Sequence, residues 1–428
     1  MGFALTKIKV GDSILNGFHL LAFDFNAFLQ SVGSVLLAVG VLLVMVTIHE
    51  LGHYIAGKAL HFKINEFAVG FGPAVFKRRS KKTGELFALR IIPLGGYCAF
   101  DGEDEIDEET TEEQAVEKTP FEEYEVKQEP IVESETETKK ETEEYPEPSG
   151  VRFNEQAPWK RIIVLIAGAT MNYLLALTLL FIMFFSFGRI YSFIGYAEET
   201  LPPITNAETL CAQDIVCSVD GQDIYLATDY VDILSGKNKG DTVVVEILRR
   251  DENRKWQEKT LTLILQTDCR FQSMTQTDDV LLALGLDNTK YGFASVTMKT
   301  GFWETIGSAF TYSWKIGGSV LRSLGELITG RLSINAMGGP VTTIKLTSEI
   351  ASAGVLPFLN IAAFIGVNLA VFNLLPIPAL DGCKVIFCII EWIRKKPVNR
   401  KVEAIIHFAG IIVLFGFAIL VDLLQLFA

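Results

Sequence analysis

Residues 41–60, VLLVMVTIHELGHYIAGKAL, begin as an apolar run and end in a charged motif. The motif is H-E-x-x-H, in which His49 and His53 stand four residues apart and Glu50 follows the first. Residues four apart share a helix face, so the two imidazoles can bind one ion, and neutral imidazoles suit Zn²⁺. Glu50 is placed to take a proton from water at that ion.

The apolar part of this stretch is long enough to cross a bilayer. No charged residue occurs from Ser31 to Ile48, and a span needs about 20 residues once the helix continues through the motif. H-E-x-x-H also occurs by chance, but unpaired His and Glu side chains are costly in an apolar span, which favours a functional site. We therefore expect a third metal ligand elsewhere in the chain.

Composition and charge indicate a membrane protein with soluble parts. The 428 residues are 49% hydrophobic and have a mean hydropathy of +0.31, which is too apolar for an ordinary soluble chain. The formal net charge is −13, but residues 101–150 hold 21 acidic residues and four lysines, or −17, which leaves +4 on the rest. No basic stripe with interleaved aromatic residues indicates nucleic-acid binding.

The cysteines and the N-terminus add two expectations. No C-x-x-C pair occurs among the six cysteines, which argues against cysteine-based zinc or thioredoxin-like chemistry. A disulfide among Cys211, Cys217 and Cys269 stays open if their region is extracytoplasmic, although inert thiols are favoured. The N-terminus lacks a signal-peptide pattern, so the first span is expected to remain uncleaved.

Residues 62–100 predict β-hairpins next to the first span. Strand-like runs flank the turn signal Thr83-Gly84, and the basic patch KRRSKK lies at Lys77–Lys82. Gly70 and Gly72 would let another backbone approach closely, although an ordinary hairpin would have the same pattern. Residues 101–150 are acidic and low in complexity, so they predict a disordered insert, more simply a solvated spacer than a regulatory segment.

A second span is predicted at Trp159–Phe187. It contains AGATMNYLLA, in which Gly168 and Asn172 are four residues apart and share a face. Spacing alone favours helix packing through small residues, and the alternative is that Asn172 lies beside a substrate backbone.

The region from Arg189 to Lys290 predicts a small β-rich domain. Strand-like segments such as TVVVEIL at Thr242–Leu248 alternate with Asp-Gly and Gly-Asp turns. Residues 291–331 are apolar but charged along their length, which predicts one or two helices lying against a membrane.

A third span is predicted at Leu356–Leu375 and ends in NLLPIPALDG, Asn373–Gly382. Its two prolines break a helix, and irregular backbone at membrane depth is tolerated only inside protein or along a polar cavity. Asp381 after this break is the natural third ligand, which would complete a His₂-Asp set with one open position. The alternative for Asp381 is a helix N-cap outside the membrane.

A fourth span is predicted at Val402–Phe427. The short loops Lys77–Lys82 and Arg394–Lys401 are both basic, so both are expected to be cytoplasmic. With four spans, the termini and the β-rich domain then face outside.

Three motifs on successive spans carry a family resemblance. HELGH at His49–His53, GATMN at Gly168–Asn172 and NLLPIPALDG at Asn373–Gly382 together resemble the bacterial site-2 protease family of intramembrane zinc metalloproteases, in its regulator-of-sigma-E-protease branch. GFGP and PLGGY resemble the membrane-reentrant β segment of that family, and the β-rich domain resembles its PDZ domain. Ala169 stands where the family usually has proline.

The resemblance implies a role for each matching residue. His49, His53 and Asp381 match the zinc ligands, and Glu50 matches the catalytic acid/base. Asn172 and Asn373 match polar residues near the scissile strand, and the hairpin around Gly70 and Gly72 would offer a strand edge to an unwound substrate. The implied activity is hydrolysis within single-span membrane proteins, such as an anti-sigma factor or a signal peptide remnant, in the bacterial inner membrane.

These interpretations divide the chain into seven parts. They are an N-terminal segment with the first transmembrane helix (1–60), a membrane-associated β-hairpin region (61–100), an acidic cytoplasmic insert (101–150), the second transmembrane helix (151–188), an extracytoplasmic PDZ-like domain (189–290), amphipathic membrane-associated helices (291–354), and the third and fourth transmembrane helices (355–428).

Two other functions stay open. A membrane zinc protease of another lineage, acting on soluble substrates, would not need Asn172 or the proline-rich break before Asp381. A catalytically silent scaffold, which would hold a partner through the β-rich domain, predicts a broken H-E-x-x-H motif, whereas the motif here is intact.

Overall fold

The computed structural model describes residues 25–103, 145–198, 208–251, 253–272, 276–334 and 338–427. Its helices are α1 (Phe25–Ala59), α2 (Pro158–Phe187), α3 (Ala227–Leu234), α4 (Thr277–Ala283), α5 (Phe302–Ile328), α6 (Pro340–Ser352), α7 (Val355–Leu374), α8 (Asp381–Arg394) and α9 (Arg400–Phe427). Its strands are β1 (Ile64–Arg79), β2 (Leu86–Phe100), β3 (Arg189–Tyr196), β4 (Ile215–Val219), β5 (Gln222–Asp223), β6 (Thr242–Arg250), β7 (Trp256–Ile264) and β8 (Tyr291–Met298). The expectations for residues 1–24 and for 104–144 of the acidic insert lie outside the described residues.

Four helices within the described ranges are long and apolar enough to cross a membrane. They are Val32–Ala59, Pro158–Phe187, Val355–Leu374 and Arg400–Gln425. Every end of these ranges lies within two residues of the predicted spans, the first of which was predicted at roughly Ser31–Ala59, because a long uncharged run is a strong local signal. The chain therefore has the helices of a multi-pass membrane protein.

Helix α2 is central and contacts α1, α5, α7 and α8. Its neighbours come close because small residues line the contacts. A Cβ on Gly52 of α1 would lie 2.4 Å from the carbonyl oxygen of Ala167 on α2. A Cβ on Gly366 of α7 would lie 3.0 Å from the Cβ of Ala176. Small residues allow this approach between membrane helices, and here it brings the H-E-x-x-H turn of α1 against α2.

Strands β1 and β2 form an antiparallel hairpin in which each strand folds back on itself. Residues 66–69 pair with 96–99 on one side and with 86–89 on the other, and 76–79 pair with 86–89. The four runs therefore lie in the order 96–99, 66–69, 86–89, 76–79. The turn between the strands contains Thr83-Gly84, as the sequence predicted.

The pairing of the strands puts an open edge at a different place from the one predicted. The sequence placed such an edge around Gly70 and Gly72, but the run that leads to Gly70 is paired on both sides. Among the described strands, the outer run next to α1 is 96–99, where a Cβ on Gly96 would lie 3.3 Å from Glu50 Cγ. The pairing brings together residues that are distant in sequence, so local pattern could not reveal it.

A buried carboxylate ties the hairpin turn to the end of α1. Glu85 accepts from Lys58 Nζ at 2.5 Å, from Tyr54 Oη at 3.0 Å and from Thr83 Oγ1 at 3.0 Å. Its side chain is buried, so these donors offset the cost of removing its charge from water. Because Tyr54 and Lys58 follow His53 on α1, the contact sets the position of the hairpin relative to the H-E-x-x-H motif.

The two described ends of the acidic insert meet at the base of the hairpin. The Phe153 N–H donates to the carbonyl oxygen of Asp101 at 2.8 Å, and the Asp101 N–H donates to that of Lys63 at 2.9 Å. Lys63 Nζ lies 2.6 Å from Asp101 Oδ2, and this hydrogen bond holds the pKa of the Asp101 carboxyl below its usual range. The insert therefore leaves and rejoins the fold at one point.

The β-rich region is a six-stranded sheet in the order β7-β6-β4-β3-β8, with β5 paired to β4. Its core includes Tyr230 of α3 and the buried Cys269. The strand β8 pairs along its full length with β3, from Arg189 opposite Met298 to Tyr196 opposite Tyr291. The predicted boundary at residue 290 is therefore wrong, because β8 finds its partner about a hundred residues earlier. All six cysteines are described, and none is disulfide-bonded.

The segment between the third and fourth spans also differs from the sequence expectation. Only the basic residues Arg394–Lys401 were expected to separate the last two spans, and no helix was predicted before them, whereas α8 fills Asp381–Arg394. Leu380 is the N-cap residue in extended conformation, and Asp381 is the first residue of the helix. The alternative in which Asp381 is itself the cap is therefore wrong. Helix α8 buries Gly382, Cys383 and Cys388 against the rest of the fold.

Candidate metal centre

Helix α1 presents two imidazoles on one face. His49 Nε2 and His53 Nε2 lie 3.0 Å apart, and both side chains are buried. The spacing of four residues produces this pairing, since one helical turn returns the chain to the same face.

Asp381 joins the pair from the first turn of α8. Its Oδ2 lies 2.9 Å from His49 Nε2 and 3.3 Å from His53 Nε2. The proline-rich loop between α7 and α8 positions Asp381 beside the two histidines. In this loop Ala379, two residues before Asp381, has a left-handed backbone conformation with a φ of +79°. Residues from two ends of the chain thus converge on one point.

The three donor atoms fit a zinc ion. Tetrahedral ligand atoms about 2.0–2.1 Å from zinc lie about 3.3 Å from one another, and the distances here are 2.9, 3.0 and 3.3 Å. Two neutral imidazoles and one carboxylate form a typical catalytic set that leaves one position open. Within the described residues, His49, His53 and Asp381 form the one such group.

The Nδ1 atom of each imidazole has a polar neighbour on another helix. His53 Nδ1 lies 2.8 Å from the carbonyl oxygen of Val164, which fixes the proton on Nδ1 and leaves Nε2 for a metal. The amide of Asn373 lies 3.3 Å from His49 Nδ1, on the side of the ring away from Asp381. Asn373 therefore contacts the ring of His49 on the side opposite the three converging donor atoms.

Gly168 of α2 closes the site from the side. A Cβ there would lie 2.5 Å from His53 Nε2 and 2.7 Å from His49 Cε1. The sequence favoured simple helix packing for this residue, and the structure adds that the packing partners are the two imidazoles. The hydrogen bond from His53 to the carbonyl oxygen of Val164, one turn before Gly168, could not be predicted from the sequence, because every residue has a backbone carbonyl.

Glu50 lies between the histidines and the hairpin. Its side chain is only partly buried, and it interacts electrostatically with His49, His53 and Asp381. The nearby run 96–99 of β2 lies against it through Gly96. A carboxylate here can exchange protons with a group held at the three-residue centre.

The remaining predicted residues occupy two different places. Asn172 is buried one turn after Gly168 on α2, and neither its Oδ1 nor its Nδ2 has a hydrogen-bond partner among the described residues. Gly70 and Gly72 lie at the fold-back of β1, where their close neighbours are Arg90, Ile91 and Ile92 of β2. Asn172 therefore lies on α2 one helical turn from the glycine that contacts the imidazoles, whereas the two glycines lie in the hairpin.

The comparisons with known proteins agree on one family. Residues 37–417 match the family described as Peptidase family M50. The chain is 28% identical over 413 residues to the zinc metalloprotease RasP of Bacillus licheniformis, with 86% of this chain and 92% of that protein covered. It is 27% identical to the regulator of sigma-W protease RasP of Bacillus subtilis, with the same coverage of 86% and 92%.

One solved structure resembles a small part of the chain. The PDZ domain of an SdrC-like protein from Listeria monocytogenes is 20% identical and covers 18% of this chain and 72% of its own, with a TM-score of 0.14.

Proposed function

The chain belongs to peptidase family M50 and is a zinc metalloprotease, and from this premise we propose that it hydrolyses peptide bonds within transmembrane segments of single-span membrane proteins. The observation that carries the proposal is the convergence of His49, His53 and Asp381 on helices apolar enough to cross a bilayer. A catalytic site between membrane-spanning helices is reached most directly by a substrate that is itself embedded in the membrane.

We assign the chemistry to four residues. His49, His53 and Asp381 would hold the zinc ion. When bound, this ion would act as a Lewis acid that activates water and polarises the scissile carbonyl. Glu50 accepts the proton released as water attacks, and then delivers it to the leaving amine. Gly168 keeps the two imidazoles free of any side chain from α2.

The substrate must be extended, because a helix hides its carbonyl groups. The edge run 96–99 beside Glu50 suits addition of a substrate strand through backbone hydrogen bonds. The amide of Asn172 has no hydrogen-bond partner among the residues that the structure describes, and it would hold the peptide backbone on the opposite side. Gly70 and Gly72 shape the hairpin that presents this edge, and Asn373 acts through His49.

The arrangement in the membrane follows from charge. The segments Lys77–Lys82 and Arg394–Lys401, which contain the hairpin turn and the α8–α9 connection, are basic, and this supports a cytoplasmic position for both in a bacterial inner membrane. The sheet from β3 to β8 then lies outside, as a PDZ-like domain that either binds substrate or excludes bulky proteins. Anti-sigma factors and signal peptide remnants are the proposed substrates.

A reconstituted cleavage assay tests the function. Full-length protein in liposomes is mixed with a model single-span substrate, and bound zinc is measured by mass spectrometry. Glu50→Gln should retain zinc and lose roughly 100-fold or more in cleavage rate, because general acid–base catalysis is removed. Asp381→Asn should lose both zinc and cleavage.

Glu349→Gln is the matched control, since Glu349 is an exposed carboxylate on α6. It should cleave like the wild type. The proposal fails if the wild type binds no zinc, or if Glu50→Gln cleaves at the wild-type rate; a scaffold role would then be the better account.

A further inference from the structure

The outer run 96–99 of β2 has a strand neighbour on one side only among the described residues. It pairs with 66–69, and it lies beside Glu50 through Gly96. An outer strand leaves half of its backbone groups without a strand partner, so its position depends more on side-chain contacts than that of an inner strand. The side chains on the two faces of the hairpin therefore decide how firmly this run is held beside Glu50.

One face of the hairpin packs on α1. The ring of Tyr54 lies 5.6 Å from that of Phe67 and 5.9 Å from that of Phe87, measured between centroids. Cys98 is directly opposite Phe67, so its side chain projects from the same face of the sheet. This face carries the contacts between the hairpin and the helix of the H-E-x-x-H motif.

Three polar side chains project from the opposite face. Tyr97 is directly opposite Ala68, and Glu66 precedes Ala68 by two residues, so Tyr97 and Glu66 share a face. Ala88 is the other neighbour of Ala68, and Arg90, two residues after Ala88, projects from that face too. The small side chains of the two alanines lie between the three polar ones.

Arg90 connects the outer run to the two runs inside it. Its Nη2 donates to Glu66 Oε1 at 2.7 Å and to Tyr97 Oη at 2.6 Å. Its Nη1 donates to the carbonyl oxygen of Gly72, at the fold-back of β1, at 2.7 Å. The guanidinium carbon also lies 5.4 Å from the centroid of the Tyr97 ring. One side chain thus joins the runs 66–69, 86–89 and 96–99.

The surroundings of Arg90 favour strong contacts. The side chains of Arg90 and Glu66 are 22% and 18% exposed, so water screens their attraction only in part. Hydrogen bonds from a guanidinium to a carboxylate are stronger than those between neutral groups. Large apolar side chains are exposed elsewhere on this hairpin, namely Phe71, Val75, Phe76, Ile91 and Ile92. A polar cluster in such a hairpin needs a reason, and the position of Tyr97 on the outer run supplies one.

We propose that Arg90 is a positioning residue for the cleavage reaction. Acting through Tyr97, it fixes the outer run 96–99 beside Glu50 and so determines how tightly a substrate strand is held. This inference rests on the proposed function, which assigns that run to the substrate. Because its contacts lie on the face away from Glu50, Arg90 affects substrate binding and leaves the metal centre unchanged.

Kinetics on the full-length protein in liposomes test the effect on substrate. Arg90→Gln should raise KM for a model single-span substrate about tenfold, because charge-assisted hydrogen bonds are lost. Its kcat should stay within about twofold of the wild type, since strand addition binds the ground state and the transition state alike. Bound zinc, measured by mass spectrometry, should equal that of the wild type.

Amide hydrogen exchange tests the positioning without substrate or cleavage. The peptide that covers 96–99 should exchange about tenfold faster in Arg90→Gln, because its local opening becomes easier. Tyr97→Phe removes only the acceptor hydroxyl and should change exchange in the same direction by less. This milder variant decides the case if Arg90→Gln does not fold. A wild type that does not cleave would overturn the proposed function, whereas the exchange of 96–99 would still decide whether Arg90 holds this run.

Arg250→Gln is the matched control. Arg250 lies over the ring of Trp256, 4.6 Å from its centroid, and the two residues are directly opposite on the β6–β7 pair. This variant removes an arginine–aromatic contact between strands outside the β1–β2 hairpin, so its KM and the exchange of 96–99 should match the wild type. The proposal is overturned if Arg90→Gln exchanges 96–99 at the wild-type rate, or if it lowers kcat and leaves KM unchanged.

Discussion

Gly168 of α2 lies so close to His53 of α1 that a Cβ at residue 168 would be 2.5 Å from His53 Nε2. Real Cβ atoms essentially never come this close to another atom, so the packing of α2 on α1 and the arrangement of the two imidazoles depend on the same missing side chain. The relationship also explains why a small residue stands in the middle of an otherwise bulky apolar span.

Replacing Gly168 by alanine should displace the imidazoles and leave the helices formed. We expect Gly168→Ala to reduce cleavage roughly 100-fold, because small misplacements of catalytic groups cost about that much. Bound zinc should fall as well. Zinc content by mass spectrometry and helix content by circular dichroism measure the two effects separately.

Gly40→Ala is the control for this change. Gly40 lies on α1, and a Cβ there would meet no atom within 4 Å. This variant should retain zinc and activity, since alanine is favoured over glycine in a helix. Full zinc occupancy in Gly168→Ala would show that the imidazoles do not need this space.

Asn373 should affect zinc through His49. The amide lies 3.3 Å from His49 Nδ1, and loss of such outer contacts typically weakens metal affinity about 10–100-fold. We expect Asn373→Ala to lose its zinc at chelator concentrations about 10–100 times lower than those that remove zinc from the wild type. Asn360→Ala on the same helix removes a hydrogen bond to Tyr312 instead, and its zinc affinity should be unchanged. Equal affinities in both variants would place Asn373 outside the metal site.

Glu85 should link the stability of the hairpin to activity. Removing a buried partner leaves its donors unpaired, but Lys58 is partly exposed, so we expect Glu85→Gln to cost about 1–3 kcal/mol in unfolding free energy. Cleavage should fall because the edge beside Glu50 is less well positioned. A double-mutant cycle with Lys58→Met measures the coupling. A coupling energy near zero would contradict the role given to this ion pair.

Zinc removal should lower the thermal stability of the folded protein. A ligand that binds only the folded state stabilises it by RT ln(1 + [L]/Kd), about 2.7 kcal/mol at 100 times Kd. Chelation should therefore lower the unfolding temperature of the wild type, and added zinc should restore it. Asp381→Asn should unfold at nearly the same temperature with and without the chelator. A large zinc-dependent shift in that variant would mean that the ligand set is different.

Much of the fold could be predicted because its signals are local. The four apolar helices follow from uninterrupted hydrophobic runs, and the pairing of His49 with His53 follows from the helical repeat. The turn at Thr83-Gly84 follows from its residue types. The strand β8 and the helix α8 were missed, since β8 depends on pairing with β3 and α8 is a short helix after a proline-rich break.

Residue types and their spacing were enough to predict a His₂-Asp donor set, four long apolar helices and the class of reaction that such a donor set supports. The packing of the helices was needed to show that Gly168 and the carbonyl of Val164 contact the imidazoles, and that the outer strand run beside Glu50 is 96–99. The physical reason is distance along the chain. Helical and strand periodicities encode neighbours within a few residues, whereas these contacts join segments separated by tens to hundreds of residues and arise only when the helices pack.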